Sequence, residues 1–388
     1  MTSMPTPTRR RFLQQAALAG LVGTVAGKTK AQEASGEAFS FLLLGDLHFD
    51  RMEHHDLVWL NKFKQGDLSQ VENYSRLTRE VTPMLFSTVR ETLKELNGDA
   101  AAQAAFVLQV GDLVQGLCGN EDLAVQQNSE AVQFLDKELP GTPFLFTKGN
   151  HDVTGEGAPS AFAKVFHPYL TRQVQSLRAQ AEKVQSARYT VEHGDALFCF
   201  FDAYDKESLA WLEAVLAKRT ARHCFVIIHP PVVPYGARST WHLYAREDQR
   251  SQREKLLGLL GKHKAIVLGG HIHKFNALER ATPGGGRFVQ LALSSIMKGP
   301  DPVPKDQLSG LDAYTGDQVK VEPRFSPETE DERRAVYDRE RGQVKSFSYA
   351  DLPGYAVIRV NGGKVSADMY AGTTRRLWRT VELADGKV

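Results

Sequence analysis

Cysteine is scarce in this chain: Cys118, Cys199 and Cys224 are its only three among 388 residues. Thiols so few and so scattered exclude a disulfide framework as the source of stability. Cys199 and Cys224 sit inside apolar runs and read as buried, inert thiols, although one bridge with a leftover thiol stays open. Net charge is nearly missing too. Arg9, Arg10, Arg11, Lys28 and Lys30 lie in the first 31 positions with no acidic residue among them, so without that stretch the formal +2 becomes −3. A body this close to neutral carries no footprint for duplex nucleic acid or an anionic membrane. Long hydrophobic runs are absent as well. Residues 16–27 form an apolar stretch of 12, rich in Gly and Ala, where a membrane span needs ~20. What remains is an ordinary globular composition, 42% hydrophobic and 24% charged, long enough for one large or two modest domains. No internal repeat of fixed period is present.

The first 31 residues read as an address. Thr8-Arg9-Arg10-Arg11-Phe12-Leu13 precedes the short apolar stretch, and small residues follow before a cleavage candidate at Thr29-Lys30-Ala31. Basic, apolar and small-residue regions in that order make an export signal. The paired arginines followed by Phe-Leu resemble the twin-arginine type, which predicts a periplasmic destination and passage through the export machinery. The mature protein is expected to have no stable membrane anchor.

Five apolar runs organise the rest. Residues 39–44 stop at Gly45-Asp46, residues 105–110 at Gly111-Asp112, and residues 143–147 at Gly149-Asn150-His151-Asp152. Residues 224–228 stop at His229-Pro230-Pro231, and residues 265–268 at Gly269-Gly270-His271-Ile272-His273. Each reads as a buried strand ending in a polar loop. Helical patterns at 81–96, 121–138, 207–218 and 249–263 alternate with them, and 188–192 with 196–202 reads as a hairpin. A strand at 288–294 and a hairpin at 355–360 and 364–370, around Asn361-Gly362-Gly363, close the chain. In α/β architectures the loops at strand carboxyl ends line the ligand crevice. Side chains from five distant places are therefore expected to converge.

Collected, those side chains are Asp46, His48, Asp112, Asn150, His151, Asp152, His229, His271 and His273. Imidazole mixed with carboxylate suits divalent Zn, Mn or Fe. The set is too large for one tetrahedral ion, whereas an Asp with two oxygens can bridge two ions about 3.5–4 Å apart. His271 and His273, as alternate residues of an extended segment, are expected to point the same way.

Gly45-Asp46-Leu47-His48, Gly111-Asp112, Gly149-Asn150-His151-Asp152, the isolated His229 and Gly270-His271-Ile272-His273 resemble, in order, the signature of the calcineurin-like metallophosphoesterases. The resemblance covers roughly residues 39–296. It implies an α/β (α+β) fold, a four-layer sandwich of two mixed β-sheets flanked by helices. It also implies two divalent metal ions, one on Asp46, His48 and His273, the other on Asn150, His229 and His271, with Asp112 bridging. Attack of a metal-bridging hydroxide on phosphorus would follow, with His151 serving the leaving oxygen and Asp152 holding the His151 ring. Purple acid phosphatases carry a tyrosine ligand three residues after the bridging aspartate. Gln115 stands there, so no iron-tyrosinate chromophore is expected.

The resulting plan is a signal at 1–31, a metallophosphoesterase domain at 38–296, a charged insertion or lid at 297–350, and a C-terminal hairpin completing the sheet at 351–388. Trp241 and His242, in the loop after His229, are placed to line a substrate pocket. His54 and His55 read as solvated surface, and the charged run 328–341 as a solvated helix face. The leading expectation is hydrolysis of a small-molecule phosphomonoester or phosphodiester. A cyclic-nucleotide phosphodiesterase or nucleotidase is the narrower alternative, and a non-catalytic metal-binding scaffold or single-metal structural site the alternative of another class.

Overall fold

The computed structural model describes residues 38–100, 102–236, 238–314 and 330–384. The basic leader expected to direct export lies outside the described residues. Along the chain the strands are β1 (Phe39–Leu44), β2 (Ala104–Gln109), β3 (Phe144–Phe146), β4 (Tyr189–His193), β5 (Ala196–Phe201), β6 (His223–Ile228), β7 (Ile266–Gly269), β8 (Phe275–Ala281), β9 (Arg287–Ala292), β10 (Lys305–Ser309), β11 (Val344–Asp351), β12 (Gly354–Asn361), β13 (Lys364–Ala371) and β14 (Arg376–Glu382).

They form two mixed sheets. The smaller runs β14-β13-β12-β1-β2-β3, parallel from β1 to β3 and antiparallel elsewhere. The larger runs β10-β11-β8-β9-β7-β6-β5-β4, parallel from β9 to β5 and antiparallel at both ends. The strand runs are apolar without alternation because both faces are covered. In β5, Phe198 and Phe200 turn to the inter-sheet core, while Leu197, Cys199 and Phe201 turn to an outer layer with Leu212, Leu216, Leu256 and Leu260. Those four leucines belong to helices Ser208–Ala217 and Arg250–Lys262. Helices Thr82–Asn97 and Glu121–Glu138 cover the smaller sheet, where Phe86 meets Phe134 edge-on at 5.0 Å. The sheets are locked to each other by aromatic rings: Phe41 of β1 packs edge-on against Phe198 (5.3 Å) and Phe225 (5.5 Å). Burying each such ring contributes about 1.5–3 kcal/mol.

Several elements depart from the sequence reading. β8, Phe-Asn-Ala-Leu-Glu-Arg-Ala, falls where the sequence reading places no element, and pairing with β9 and β11 makes it a strand. Tertiary pairing, rather than local preference, decides there. The charged run read as a solvated face is not one where it is described: helix Glu330–Arg341 buries Arg333, Val336, Tyr337 and Glu340. Tyr337 Oη donates to the Gly236 carbonyl (2.9 Å), and Tyr314 Oη to that of Pro234 (2.8 Å). Glu340 accepts from Arg253 (2.7 Å) and Arg280 (2.6 Å), and Arg253 also donates to the Val232 (2.8 Å) and Leu243 (3.2 Å) carbonyls. Tyr314 and helix Glu330–Arg341 thus grip the loop that follows β6. His54 and His55 are buried rather than solvated. Asp50 accepts from His55 Nε2 (2.8 Å), Gln127 Nε2 (2.7 Å) and Ser75 Oγ (3.1 Å), while His54 Nε2 lies 3.1 Å from Glu130. All three cysteines are buried and unbridged.

Candidate metal centre

β1, β2, β3, β6 and β7 all deliver their C-terminal ends to one place. An isolated parallel bridge, Asp46 to Ser294, ties the tip of β1 to the larger sheet. The approach is close enough to dictate residue type. Gly111, at φ 101°, sits where a Cβ would lie 2.6 Å from His229 Nδ1, and a Cβ on Gly149 would overlap the Asp112 carboxylate. The loops are strained around the functional side chains: His48, Asp112, His271 and His273 hold φ of 46°, 55°, 71° and 59°. Non-glycine residues adopt that region at a cost of about 1–3 kcal/mol each, so the surrounding fold must enforce it.

Two donor groups result. Asp46, His48, Asp112 and His273 form one, and Asp112, His229 and His271 the other, each with ligand atoms within 4.8 Å of one another. Asp112 belongs to both. Its Oδ2 lies 3.1 Å from His229 Nε2 and 3.7 Å from His48 Nε2, while its Oδ1 accepts from the His151 backbone N–H (2.8 Å). Asn150 Oδ1 stands 3.2 Å from His229 Nε2. Both Asp46 oxygens accept from the His271 backbone N–H at 3.1 Å.

The hydrogen-bonding pattern suits cations. His229 Nδ1 donates to the Val110 carbonyl (2.8 Å), so in the neutral ring Nε2 is a lone pair facing Asp112 and Asn150 oxygens. A proton on Nε2 bridges to Asp112, at the point where a cation held by the same three atoms would take its place. Gln115 Nε2 donates to Gln70 (3.3 Å) and its Oε1 accepts from His48 Nδ1 (2.8 Å). That leaves His48 Nε2 pointing at His273 Nε2, 3.2 Å away. A partner on one ring nitrogen fixes the tautomer and frees the other for a metal. Asp46, His48, Asp112, Asn150, His229, His271 and His273 therefore fit divalent ions in chemistry and orientation.

Electrostatics agree. Burial pushes the imidazolium forms of His48 and His271 down to about 3, aided by His151 and His229 respectively, and drives His273 down as well. Their nitrogens are bare at neutral pH, as metal ligation requires. Burial raises the Asp46 carboxyl to about 7 against the pull of His229, with Asp112 adding repulsion. Burial would raise Asp112 also, but the charges of His229 and His151 hold it well below the usual range. Burial disfavours protonated His229, yet the Asp112 and Asp46 carboxylates outweigh it and lift the ring to about 9. The pocket attracts positive charge.

Two expectations need correction. Asp152 does not hold the His151 ring. Its carboxylate accepts from the backbone N–H groups of Gly149 (2.7 Å), Asp112 (3.1 Å) and Val114 (3.0 Å), so it positions the two loops. The His151 ring is held by the Gln115 carbonyl, 2.9 Å from Nδ1. His271 and His273 do not point alike, because positive φ at both replaces the extended segment by a tight turn, with Ile272 N–H bonded to the Gly270 carbonyl (2.8 Å). The rings go to different donor groups.

A cavity of about 370 Å³ opens over the centre, lined by Asp112, Asn150, His151, His271, His273 and Trp241 together with Lys64, Gln70, Tyr74 and Arg238. Trp241 lies 5.6 Å from the His271 ring, with the Arg238 guanidinium 4.8 Å above its own. His242 does not line this cavity: its Nδ1 donates to the Ser239 carbonyl (2.7 Å), and it lines a neighbouring cavity of about 280 Å³ together with Asn150, Trp241 and His271. The sequence reading missed Gln115 as an orienting residue, Tyr74 stacked on His48 at 4.3 Å, and Arg238. Only Arg238 carried a signal, as a basic residue within the aromatic loop after His229.

The family model described as calcineurin-like phosphoesterase matches residues 39–275. No curated protein matches the chain. Among solved structures it is similar to the purple acid phosphatase PPD1 of yellow lupin (Lupinus luteus) seeds, with 11% identity, TM-score 0.50, and coverage of 90% of this chain and 54% of that one. It thus spans about half the length of the lupin protein, and the likeness speaks for the fold. PhoD (12% identity, TM-score 0.49, 91% of this chain and 71% of that one) and GAP50 of the Plasmodium inner membrane complex (13%, 0.48, 89% of each) are further likenesses.

Proposed function

The chain belongs to the calcineurin-like phosphoesterase family, and from that premise we propose that it is an exported hydrolase of phosphomonoesters or phosphodiesters working with two divalent ions, Mn, Fe or Zn. The observation that carries this reading is the position of Asp112, shared by two groups of buried donors. Asp46, His48 and His273 would hold one ion, Asn150, His229 and His271 the other, and Asp112 both. Ions so held would supply acidified water and positive charge beside the phosphate.

The chain's own residues account for the remainder. Arg238 and Lys64 give the cavity cations that draw a phosphate towards the centre. His151, with Nδ1 committed to the Gln115 carbonyl, presents Nε2 to the cavity, and in the imidazolium form that nitrogen would give its proton to the departing oxygen. Asp152 fixes the backbone that presents Asp112 and His151. Trp241 offers a face for the organic part of the ester, which favours a ring-bearing group such as a nucleoside and keeps the cyclic-nucleotide and nucleotidase alternatives in view. Export rests on the leader Arg9 to Leu13 and the short apolar stretch after it. No helix among the described residues is long and apolar enough to cross a membrane.

The test is metal analysis of protein purified without added metal, with phosphate release measured from alkyl, aryl and nucleoside monoesters, diesters and cyclic nucleotides. Two ions per chain and metal-dependent turnover are expected. One ion, or none, with no turnover on any ester after metal loading, would overturn the reading.

A further inference from the structure

The space over the candidate centre does not stop at Tyr74 and His273. The same two residues also line a second, larger cavity of about 590 Å³. Its other wall is the stretch 298–303, in which Pro300 and Pro302 fix the backbone. That wall is anchored from behind. Thr373 N–H donates to the Pro300 carbonyl (2.8 Å), Arg376 pairs with Asp301 (2.9 Å), and Gly372, at φ 56°, admits Pro302 where a Cβ would overlap it. Lys274, directly after His273, pairs with Asp351 (2.6 Å).

The charge of this cavity follows. Its two carboxylates, Asp301 and Asp351, are each bound to a cation, Arg376 and Lys274. Lys298 and Lys305 then leave it with excess positive charge. A formed basic cavity that shares two lining residues with a phosphate-ester centre is suited to a second anion on the same molecule.

We propose that this cavity is a distal subsite, in which Lys298 and Lys305 bind a second phosphate group at the far end of the substrate while its linker crosses Tyr74 and His273. The inference rests on the phosphoesterase reading and narrows it: the substrate class is a phosphate ester carrying a second phosphate, not a simple monoester. Tyr74 and His273 set the separation between the two groups, so the length of the linker is part of recognition.

Calorimetric titration of the manganese-loaded protein with alkane-α,ω-bisphosphonates of increasing chain length, each beside the alkylphosphonate of equal length, tests it. A bisphosphonate of spanning length is expected to bind about tenfold more tightly than its partner, the size fitting two solvent-screened ammonium contacts. Shorter and longer chains are expected to lose the advantage. In the Lys298→Ala/Lys305→Ala double variant the two ligands are expected to converge. Both lysines are exposed, so folding should survive, and circular dichroism checks that it does. Equal affinities at every length, or an advantage that survives loss of both lysines, overturns the subsite and favours a neutral group in the cavity. Phosphate release from an alkyl phosphate by the same preparation reports on the catalytic reading separately, so the two ideas fail by different signals.

Discussion

The strand tips and the stretch 298–305 build adjoining walls of the same region by opposite means. At the tips, side chains are buried, backbone is strained, and glycines are obligatory because neighbouring residues fill the space. Along 298–305 the chain is exposed, proline-braced and fastened from outside by Thr373 and Arg376. A buried centre fixes chemistry, since each donor has one place to go. An exposed wall leaves room for variation, because a change of lysine or proline there disturbs no core. The difference separates what the site does from what it accepts.

Removing Asp112 strikes the first kind of wall hardest. Asp112→Ala should lower metal content and cut kcat/KM by about 10³-fold or more, read by metal analysis and steady-state kinetics. His151→Ala should keep its metal while kcat falls by about 10²–10⁴-fold. Equal metal loss in both would erase the division between ligand and proton donor.

Glu340→Gln probes the grip exerted from the tail. Removing one side of a buried ion pair leaves Arg253 and Arg280 uncompensated, at a cost of about 3 kcal/mol in denaturant unfolding. The pH dependence has a definite sign. Burial raises the Glu340 carboxyl, but Arg253 and Arg280 outweigh it and hold it below the ordinary value of 4.5. Its contribution is therefore present above that value and lost as pH falls through the depressed one. The variant should lack this acid-side loss. Because Arg253 also holds the Val232 and Leu243 carbonyls, KM should rise more than kcat falls.

The smallest effect is expected at Gln115. Gln115→Leu removes the acceptor that orients His48, which should weaken metal affinity by about 10–100-fold in a chelator competition while stability changes little. Unchanged affinity would show that packing against Tyr74 alone orients the ring.

Much of the centre was legible because its signals are local. β1, β2, β3, β6 and β7 are continuous apolar runs, and each stops at the residues that do the work. Burial on both faces leaves that mark in any sequence. What escaped depends on geometry. The separation of His271 from His273 follows from two positive φ values that no spacing rule anticipates. The partners of Asp152 are backbone N–H groups of two loops, invisible as side-chain patterns. Glu340 meets Arg253 and Arg280 across 87 and 60 positions, so its helix read as a solvated charge run. His55 looked like surface, yet its buried pairing with Asp50 offsets the loss of water.

β12 has a consequence for how the molecule is made. It lies against β1 in register from Phe39↔Val360 to Leu44↔Tyr355, so the strand that leads into Asp46 gains one of its two neighbours from residues that are made long after it. Until the ribosome has released that stretch, β1 presents an open row of backbone donors and acceptors to anything nearby. Such distant closure makes folding slow and exposes nascent chains to mispairing. A chaperone that shields residues 39–44 during translation should therefore raise the yield of active protein more than one acting after chain release.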